Sequence, residues 1–392
     1  MKKNIMHIIT KLELGGAQQN TLYSVLKHDR SKYNVYLVSG MEGFLTDKAK
    51  QLKDVKVILL PELRHEISPI NDLKCLFALK KIFKKEKIDL VHTHSSKAGI
   101  LGRFAAKLAG VRMIIHTVHG FSFNDVQSAL KKRFYIFFER LAAKYTDKLI
   151  VVTRVDIEKG LQAGVGEAGQ YVLIRSGFDI AEFTAPRDVI ETRKELGIAK
   201  DLKVVGMVAC FKEQKSPLDF IRMAGLVKQK YAGVKFLLVG DGVLRPEIEK
   251  LIEEKNLKND IILTGWREDV PRLLHAMDVF VLTSRWEGLP RVLPQAMCAK
   301  KPLVATAVDG SKEAVLDGKN GYLVSPGDCP AIAARVIELL LDEEMRKRMG
   351  EAGFSMVKAW DQDEMVRQIE ELYLQVQSTK EKVQGTRYKV QS

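Results

Sequence analysis

Short runs of apolar, β-forming residues recur along this 392-residue chain, each followed by a segment with helical spacing, and the series runs through twice. Strands buried on both faces read as continuous apolar runs, and alternation with helices implies a parallel, doubly wound sheet. The first series has its runs at residues 4–10, 35–39, 55–60, 89–93, 113–117 and 148–153. A polar stretch at 185–200 interrupts it, and the alternation restarts at 204–209, 235–239, 261–264, 279–282 and 303–306. Two Rossmann-like domains are expected, at residues 1–180 and 181–360. A helix at 361–377 and a polar, basic tail at 378–392 follow, the tail disordered on its composition.

Composition limits the partners. The formal net charge is +14, which points to an anionic partner: nucleic acid, acidic lipid or a phosphorylated substrate. A lysine-rich solvated surface is the plain alternative, and no nucleic-acid-binding signature accompanies the charge. The four cysteines lie far apart with no CxxC pair, which fits a reducing cytosol better than a disulfide framework or a zinc site. No stretch approaches a membrane-spanning length of unbroken apolar residues, and the N-terminal apolar run is too short for a signal peptide.

The densest chemistry lies at residues 278–306, DVFVLTSRWEGLPRVLPQAMCAKKPLVAT. Val279–Leu282 reads as a buried strand, and Thr283 to Gly288 as a polar loop. Pro290 suits the first position of a helix whose apolar residues are Val292, Leu293, Ala296 and Met297. A loop at the C-terminal end of a parallel strand, leading into a helix N-terminus, is the usual ligand position of such sheets. Its backbone N–H groups suit a phosphate. Glu287 stands in the loop and Gln295 further along the helix. Phosphate contacts beside hydroxyl contacts suggest a sugar nucleotide.

This stretch resembles the Glu-x7-Glu signature of retaining, GT-B-fold glycosyltransferases of family 4, with Gln295 in place of the second Glu. The resemblance covers nearly the whole chain. It implies that Glu287 binds hydroxyls of the donor sugar and that position 295 meets the nucleotide ribose. Gln295 keeps hydrogen bonding but loses charge assistance, which roughly doubles a bond's strength. Lys215 matches the lysine that holds the donor diphosphate. The family's arginine five residues earlier is Cys210 here, and Lys212 is a candidate to compensate. The amides after Glu287, at Leu289 and Arg291, would serve the leaving group. Gly265 and Trp266 match the segment beside the nucleobase. Gly15 and Gly16 match the glycine loop near donor phosphates and acceptor, and His119 matches the histidine beside the donor sugar. Residues 174–179 resemble the family's interdomain segment. Asp309 stands where the family often has glycine. The nucleotide sugar would be a co-substrate, with no cofactor and no metal.

Four histidines, His92, His94, His116 and His119, cluster at the ends of two strands. A metal site, site lining and a structural role are all open for them. Ser95, Ser96 and Lys97 open the next helix, a plausible acceptor-side loop. Two basic amphipathic segments stand out. Residues 74–87 carry six lysines around Leu76, Leu79, Ile82 and Phe83, a face expected to pack on its own sheet. Residues 127–144 align Leu130, Phe134, Phe137, Phe138 and Leu141 behind Lys131, Lys132 and Arg133, which suits either sheet packing or an anionic bilayer surface. Taken with the resemblance, the expected activity is metal-independent hexosyl transfer from a UDP- or GDP-sugar to a hydroxyl of a lipid-linked or saccharide acceptor. The expected place is the cytoplasm, peripheral on the inner face of the cell membrane. A sugar-nucleotide epimerase on the same architecture, or a donor-binding protein without turnover, stays open.

Overall fold

The computed structural model describes residues 2–13, 15–41, 43–123 and 128–390, with the side chains of 383–390 excepted. The chain divides into two units. The first comprises Met1–Gly177 with Gln362–Ser392, and the second Phe178–Asp361.

The first unit is built on a seven-stranded parallel sheet. Its strands are β1 (Lys3–Ile8), β2 (Tyr33–Ser39), β3 (Val55–Leu59), β4 (Leu90–His94), β5 (Met113–Val118), β6 (Lys148–Val151) and β7 (Tyr171–Leu173). Their order is β3-β2-β1-β4-β5-β6-β7. The chain winds outward from β1 one way and returns beside it at β4, so β1 and β4 flank the point where winding reverses. Ligands of open parallel sheets bind at the carboxyl ends of strands at such a point. β4 is buried at all five positions and β5 at all six, as strands covered by helices on both faces must be.

The helix Gln362–Val390 belongs to this unit. Met365, Val366, Ile369, Leu372, Tyr373 and Val376 enter a core with Ile5, Val25, Leu37 and Leu90. Each such side chain contributes about 1.5–3 kcal/mol on full burial. The tail expected to be disordered from residue 378 is corrected: the helix continues to Val390. Lys380 supplies a physical reason, because its Nζ lies 2.7 Å from Asp147 Oδ2 and also donates to the Arg112 carbonyl.

Two peripheral helices present apolar side chains outward. On Pro69–Lys85 the inward face is Cys75, Leu79 and Phe83, with Leu76 and Ile82 half-buried beside it, while Ile70, Leu73 and Phe77 are exposed. On Ala129–Ala143 the buried residues are Glu139, Ala142 and Ala143, whereas Leu130, Phe134 and Phe137 are exposed, Leu130 to 82 %. The aromatic stripe of that helix is therefore not the face that packs on its sheet. Gln127, where this segment was expected to begin, lies outside the described residues.

The second unit carries a six-stranded parallel sheet: β8 (Lys203–Val208), β9 (Val234–Val239), β10 (Ile261–Leu263), β11 (Val279–Leu282), β12 (Leu303–Thr306) and β13 (Gly321–Val324). The order is β10-β9-β8-β11-β12-β13, so winding reverses between β8 and β11. One core runs from Phe178 to Trp360 and takes in Phe211, Phe220, Phe236 and Phe280.

Candidate active site

In the second unit the loops that follow β8 and β11 lie side by side because those strands are neighbours at the reversal. Main-chain and side-chain bonds lock the loops together. Arg285 N donates to the Gln214 carbonyl at 2.7 Å, and Gln214 Nε2 donates to the Trp286 carbonyl at 3.0 Å. Thr283 Oγ1 reaches the Lys215 and Ser216 carbonyls at 3.0 and 2.9 Å. Ser216 is in the left-handed region at φ 45°, a conformation that costs a non-glycine residue about 1–3 kcal/mol. It begins the helix Pro217–Lys230, and its Oγ donates to Asp219 Oδ2 at 2.8 Å. Arg285 closes the same carboxylate from the other loop at 2.6 Å.

This scaffold brings Lys215 Nζ into an ion pair with Glu287 Oε1. Both side chains are shielded, at 18 % and 5 % exposure, so their charges are felt more strongly than in bulk water. Ser284 Oγ donates to the same Glu287 oxygen at 2.5 Å. Asp309 Oδ2 accepts from the Glu287 amide at 2.9 Å, and Gly310 N donates to the Gly288 carbonyl at 3.0 Å. Asp309, a departure from the family pattern, thus positions the backbone of Glu287. A cation and a carboxylate held together can meet one molecule that carries phosphate next to hydroxyls.

The other expected residues of this unit are placed as follows. The helix expected from Pro290 begins two residues later, at Val292, so Leu289 and Arg291 lie in the turn entering it. Burial pulls the Arg291 guanidinium down to about 10. Gln295 is half-buried on that helix. Lys212 is exposed at the start of the turn Glu213–Lys215, and Cys210 is a half-buried free thiol. Gly265 has φ 69°, and its carbonyl accepts from Gly240 N at 3.0 Å, which ties the ends of β9 and β10 together. Trp266 beside it is 55 % exposed.

Gly15, Gly16 and His119 lie in the first unit, around its own reversal point. Gly15 caps the helix Gly16–Lys27, and a Cβ there would meet Gln18 Oε1 at 2.6 Å. Thr10 after β1 and Ser95 after β4 are joined through their hydroxyls at 2.8 Å. A cavity of about 660 Å³ opens here, lined by Gln18, Ser96, Lys97, His119, Phe134 and Phe138 among others. Beneath it Arg103 and Glu139 form a fully buried ion pair at 2.5 Å. Of the four clustered histidines, His116 and His119 line this cavity, and His65 lines it too. His92 and His94 are buried in β4.

Ring nitrogens of His7, His92 and His94 approach within 4.8 Å of one another. Each of their six ring nitrogens is already spent on a hydrogen bond. His7 bonds His94 and His28, His92 bonds Tyr373 and Thr117, and His94 bonds His7 and His119, all at 2.6–3.2 Å. The three rings thus form part of a buried hydrogen-bonded network. Burial lowers the pKa of His7, His92, His94 and His116 well below 6.5, so all four are neutral near pH 7. His7 and His28 were not singled out in the sequence.

The family model for glycosyl transferases group 1 matches residues 188–356, and that for the glycosyl transferase 4-like domain matches residues 37–177. The chain is 32 % identical over 377 residues to the Escherichia coli UDP-Gal:alpha-D-GlcNAc-diphosphoundecaprenol alpha-1,3-galactosyltransferase, covering 95 % of this chain and 97 % of that protein. Among solved structures, Anabaena HepE in complex with UDP and glucose superposes with a TM-score of 0.82 at 22 % identity, covering 95 % of this chain and all of that one. WaaG, a glycosyltransferase involved in lipopolysaccharide biosynthesis, superposes with a TM-score of 0.76 at 16 % identity, covering 94 % and 99 %. With two doubly wound parallel sheets and a lysine and a glutamate joined at the reversal point of the second, the chain belongs to the GT-B-fold, family 4 glycosyltransferases.

Proposed function

We propose that the protein transfers a hexosyl group from a UDP-sugar to a hydroxyl of a lipid-linked saccharide, with retention of anomeric configuration. The product would feed polysaccharide or glycolipid synthesis. The observation that carries this reading is the Lys215–Glu287 pair at the switch point of the second sheet. In a sugar nucleotide the diphosphate and the sugar hydroxyls are neighbours, which is the spacing such a pair can meet. The E. coli relative, whose name gives a UDP-sugar donor and a diphosphoundecaprenol-linked acceptor, supports the choice of substrates.

In the reaction the bond from the sugar anomeric carbon to the diphosphate breaks, and a bond to the acceptor oxygen forms on the same face. The departing diphosphate gains negative charge, and Lys215 with nearby backbone amides stabilises it. A donor phosphate oxygen takes the acceptor's proton. Glu287 holds sugar hydroxyls, and Ser284 and Asp309 hold Glu287. Lys215 meets the leaving charge in this scheme, so it calls for no metal.

The exposed aromatic stripe of Ala129–Ala143 supports docking on an anionic membrane surface, because exposed Lys131 and Arg133 flank it. Among the described residues no helix is long and apolar enough to cross a membrane. A thermal-shift screen of UDP- and GDP-sugars, followed by transfer to a diphosphoprenol-linked sugar, tests the reading. Stabilisation by a UDP-sugar and a product with the donor's anomeric configuration are expected. An inverted product, or conversion of donor alone to its epimer, would contradict it.

A further inference from the structure

The cavity of the first unit combines aromatic walls with one deeply held carboxylate. On the helix Ala129–Ala143, Phe134, Tyr135, Phe138 and Glu139 line it, two pairs each one helical turn apart and so on one face. The rings of Phe134 and Phe138 touch, with centroids 4.8 Å apart. Phe121 lines the cavity too, and its ring stacks on Phe123 at 4.6 Å. The Glu139 side chain is 2 % exposed, and its Oε2 takes the Arg103 guanidinium at 2.5 Å. Arg103 comes from the neighbouring helix Ser96–Ala109.

The pair is a weak source of stability. A buried ion pair gains little over well-packed apolar side chains of similar volume. Arg103 is fully buried, and its Nη1 has no hydrogen-bond partner among the described residues, which adds a further cost. What the arrangement achieves is a fixed carboxylate: Arg103 Nε donates to the Gly99 carbonyl at 2.8 Å, and Nη2 holds Glu139. A carboxylate accepts about four hydrogen bonds, so the one from Arg103 leaves lone pairs on both oxygens. Two other carboxylates lining the cavity face cations there, Asp72 with Lys97 at 2.6 Å and Glu13 with Lys11 at 4.0 Å. A fixed acceptor beside aromatic rings suits a ligand with O–H donors on its edge and C–H groups on its faces. A sugar ring is such a ligand. A lipid chain brings no donor and would leave the Glu139 oxygens unmatched.

We infer that Glu139, held by Arg103, determines acceptor specificity: it accepts hydrogen bonds from hydroxyls of the acceptor's sugar, and the aromatic rings beside it take the C–H faces. That this sugar is the acceptor rests on the glycosyl-transfer reading, whereas the binding of a sugar here does not. A sugar whose hydroxyl at Glu139 is missing, or points to the other face of the ring, leaves a buried carboxylate unmatched, and that penalty rejects it.

The test measures binding, so it does not depend on turnover. GlcNAc, GalNAc and glucose, each linked through diphosphate to a short prenyl chain, are titrated calorimetrically into the full-length protein. The 3-, 4- and 6-deoxy forms of the tightest probe follow. In the wild type at least one deoxy form is expected to bind about tenfold more weakly than its parent, the loss of a hydrogen bond to a charged group. The double variant Arg103→Met with Glu139→Leu removes both charges at similar volume, which buried pairs tolerate, and circular dichroism checks its fold. It is expected to bind the parent about tenfold more weakly and to treat parent and deoxy form alike. Glu139→Gln, which keeps an acceptor without the charge, is expected to discriminate less than the wild type. A structural role alone would weaken all probes equally and keep the discrimination, which would overturn the inference. So would a wild type that binds none of the probes, binds every deoxy form like its parent, or binds prenyl diphosphate as tightly as the sugar-bearing probes. A wild type that binds and discriminates the probes yet transfers nothing to them would sink the glycosyl-transfer reading and leave the sugar site standing.

Discussion

Lys215 and Glu287 stand 72 residues apart in the chain, yet the ammonium and the carboxylate are in contact where β8 and β11 run side by side. The sheet order places them there, since the loops after two adjacent parallel strands at a winding reversal have nowhere else to meet. The pair sets the polarity of the site, with a cation for phosphate and an anion for hydroxyls.

Lys215→Ala removes the charge that meets the leaving diphosphate. Turnover is expected to fall by about 10²–10³-fold, as for loss of one preorganised transition-state donor. Glu287→Ala is expected to cut turnover strongly while the fold remains intact. Steady-state rates with circular dichroism as a folding check measure both, and near-normal turnover in either variant counts against its role.

Stability is expected to depend on pH through the buried histidines. Their folded pKa lies well below the unfolded value of 6.5, so on acidification the unfolded chain binds protons that the folded chain refuses. Their stabilising contribution is complete above about pH 6.5 and is lost as pH falls from there toward the folded values. Each histidine contributes about 1.4 kcal/mol per pH unit in that window. Thermal melts at pH 7.5, 6.5 and 5.5 should show a decline that steepens below 6.5. A flat Tm down to pH 5 would show that these rings are solvated.

The Arg103–Glu139 pair is fully buried beside the cavity, with Arg103 Nε also donating to the Gly99 carbonyl at 2.8 Å. Removing one partner strands the other charge. Arg103→Ala is expected to cost about 3–5 kcal/mol in urea unfolding. A loss under 1 kcal/mol would mean that water reaches Glu139.

Lys131→Gln with Arg133→Gln should weaken binding to anionic vesicles by about 2 kcal/mol, roughly 30-fold, at low salt. Sedimentation with phosphatidylglycerol vesicles measures it. Wild-type protein that stays in the supernatant would end the membrane proposal.

Most of the architecture was legible because parallel strands covered on both sides carry unbroken apolar runs, as at Val279–Leu282. The strands not read from the sequence are β7 and β13. β7 is three residues, all half-buried, and β13 opens on Gly321. Both are edge strands, with little local pattern to mark them. The helix beyond residue 378 was missed because its polar composition resembles a disordered tail, while the Lys380–Asp147 pair is non-local. At the site, Lys215 and Glu287 were visible through motif spacing. The role of Asp309 was not, because a backbone amide as partner leaves no mark in the sequence. The part of His7 and His28 in the histidine network was hidden by distance along the chain: 342 residues separate His28 from Glu370.

The most direct test of the Lys215–Glu287 site is calorimetric titration of UDP into the wild type, Lys215→Ala and Glu287→Ala. UDP offers the diphosphate without the sugar. Lys215→Ala should weaken UDP binding, because the lost cation leaves Glu287 facing the phosphates. Glu287→Ala should bind UDP as well as the wild type or more tightly, and should lose affinity only for the sugar nucleotide. UDP affinity unchanged in Lys215→Ala would contradict the account.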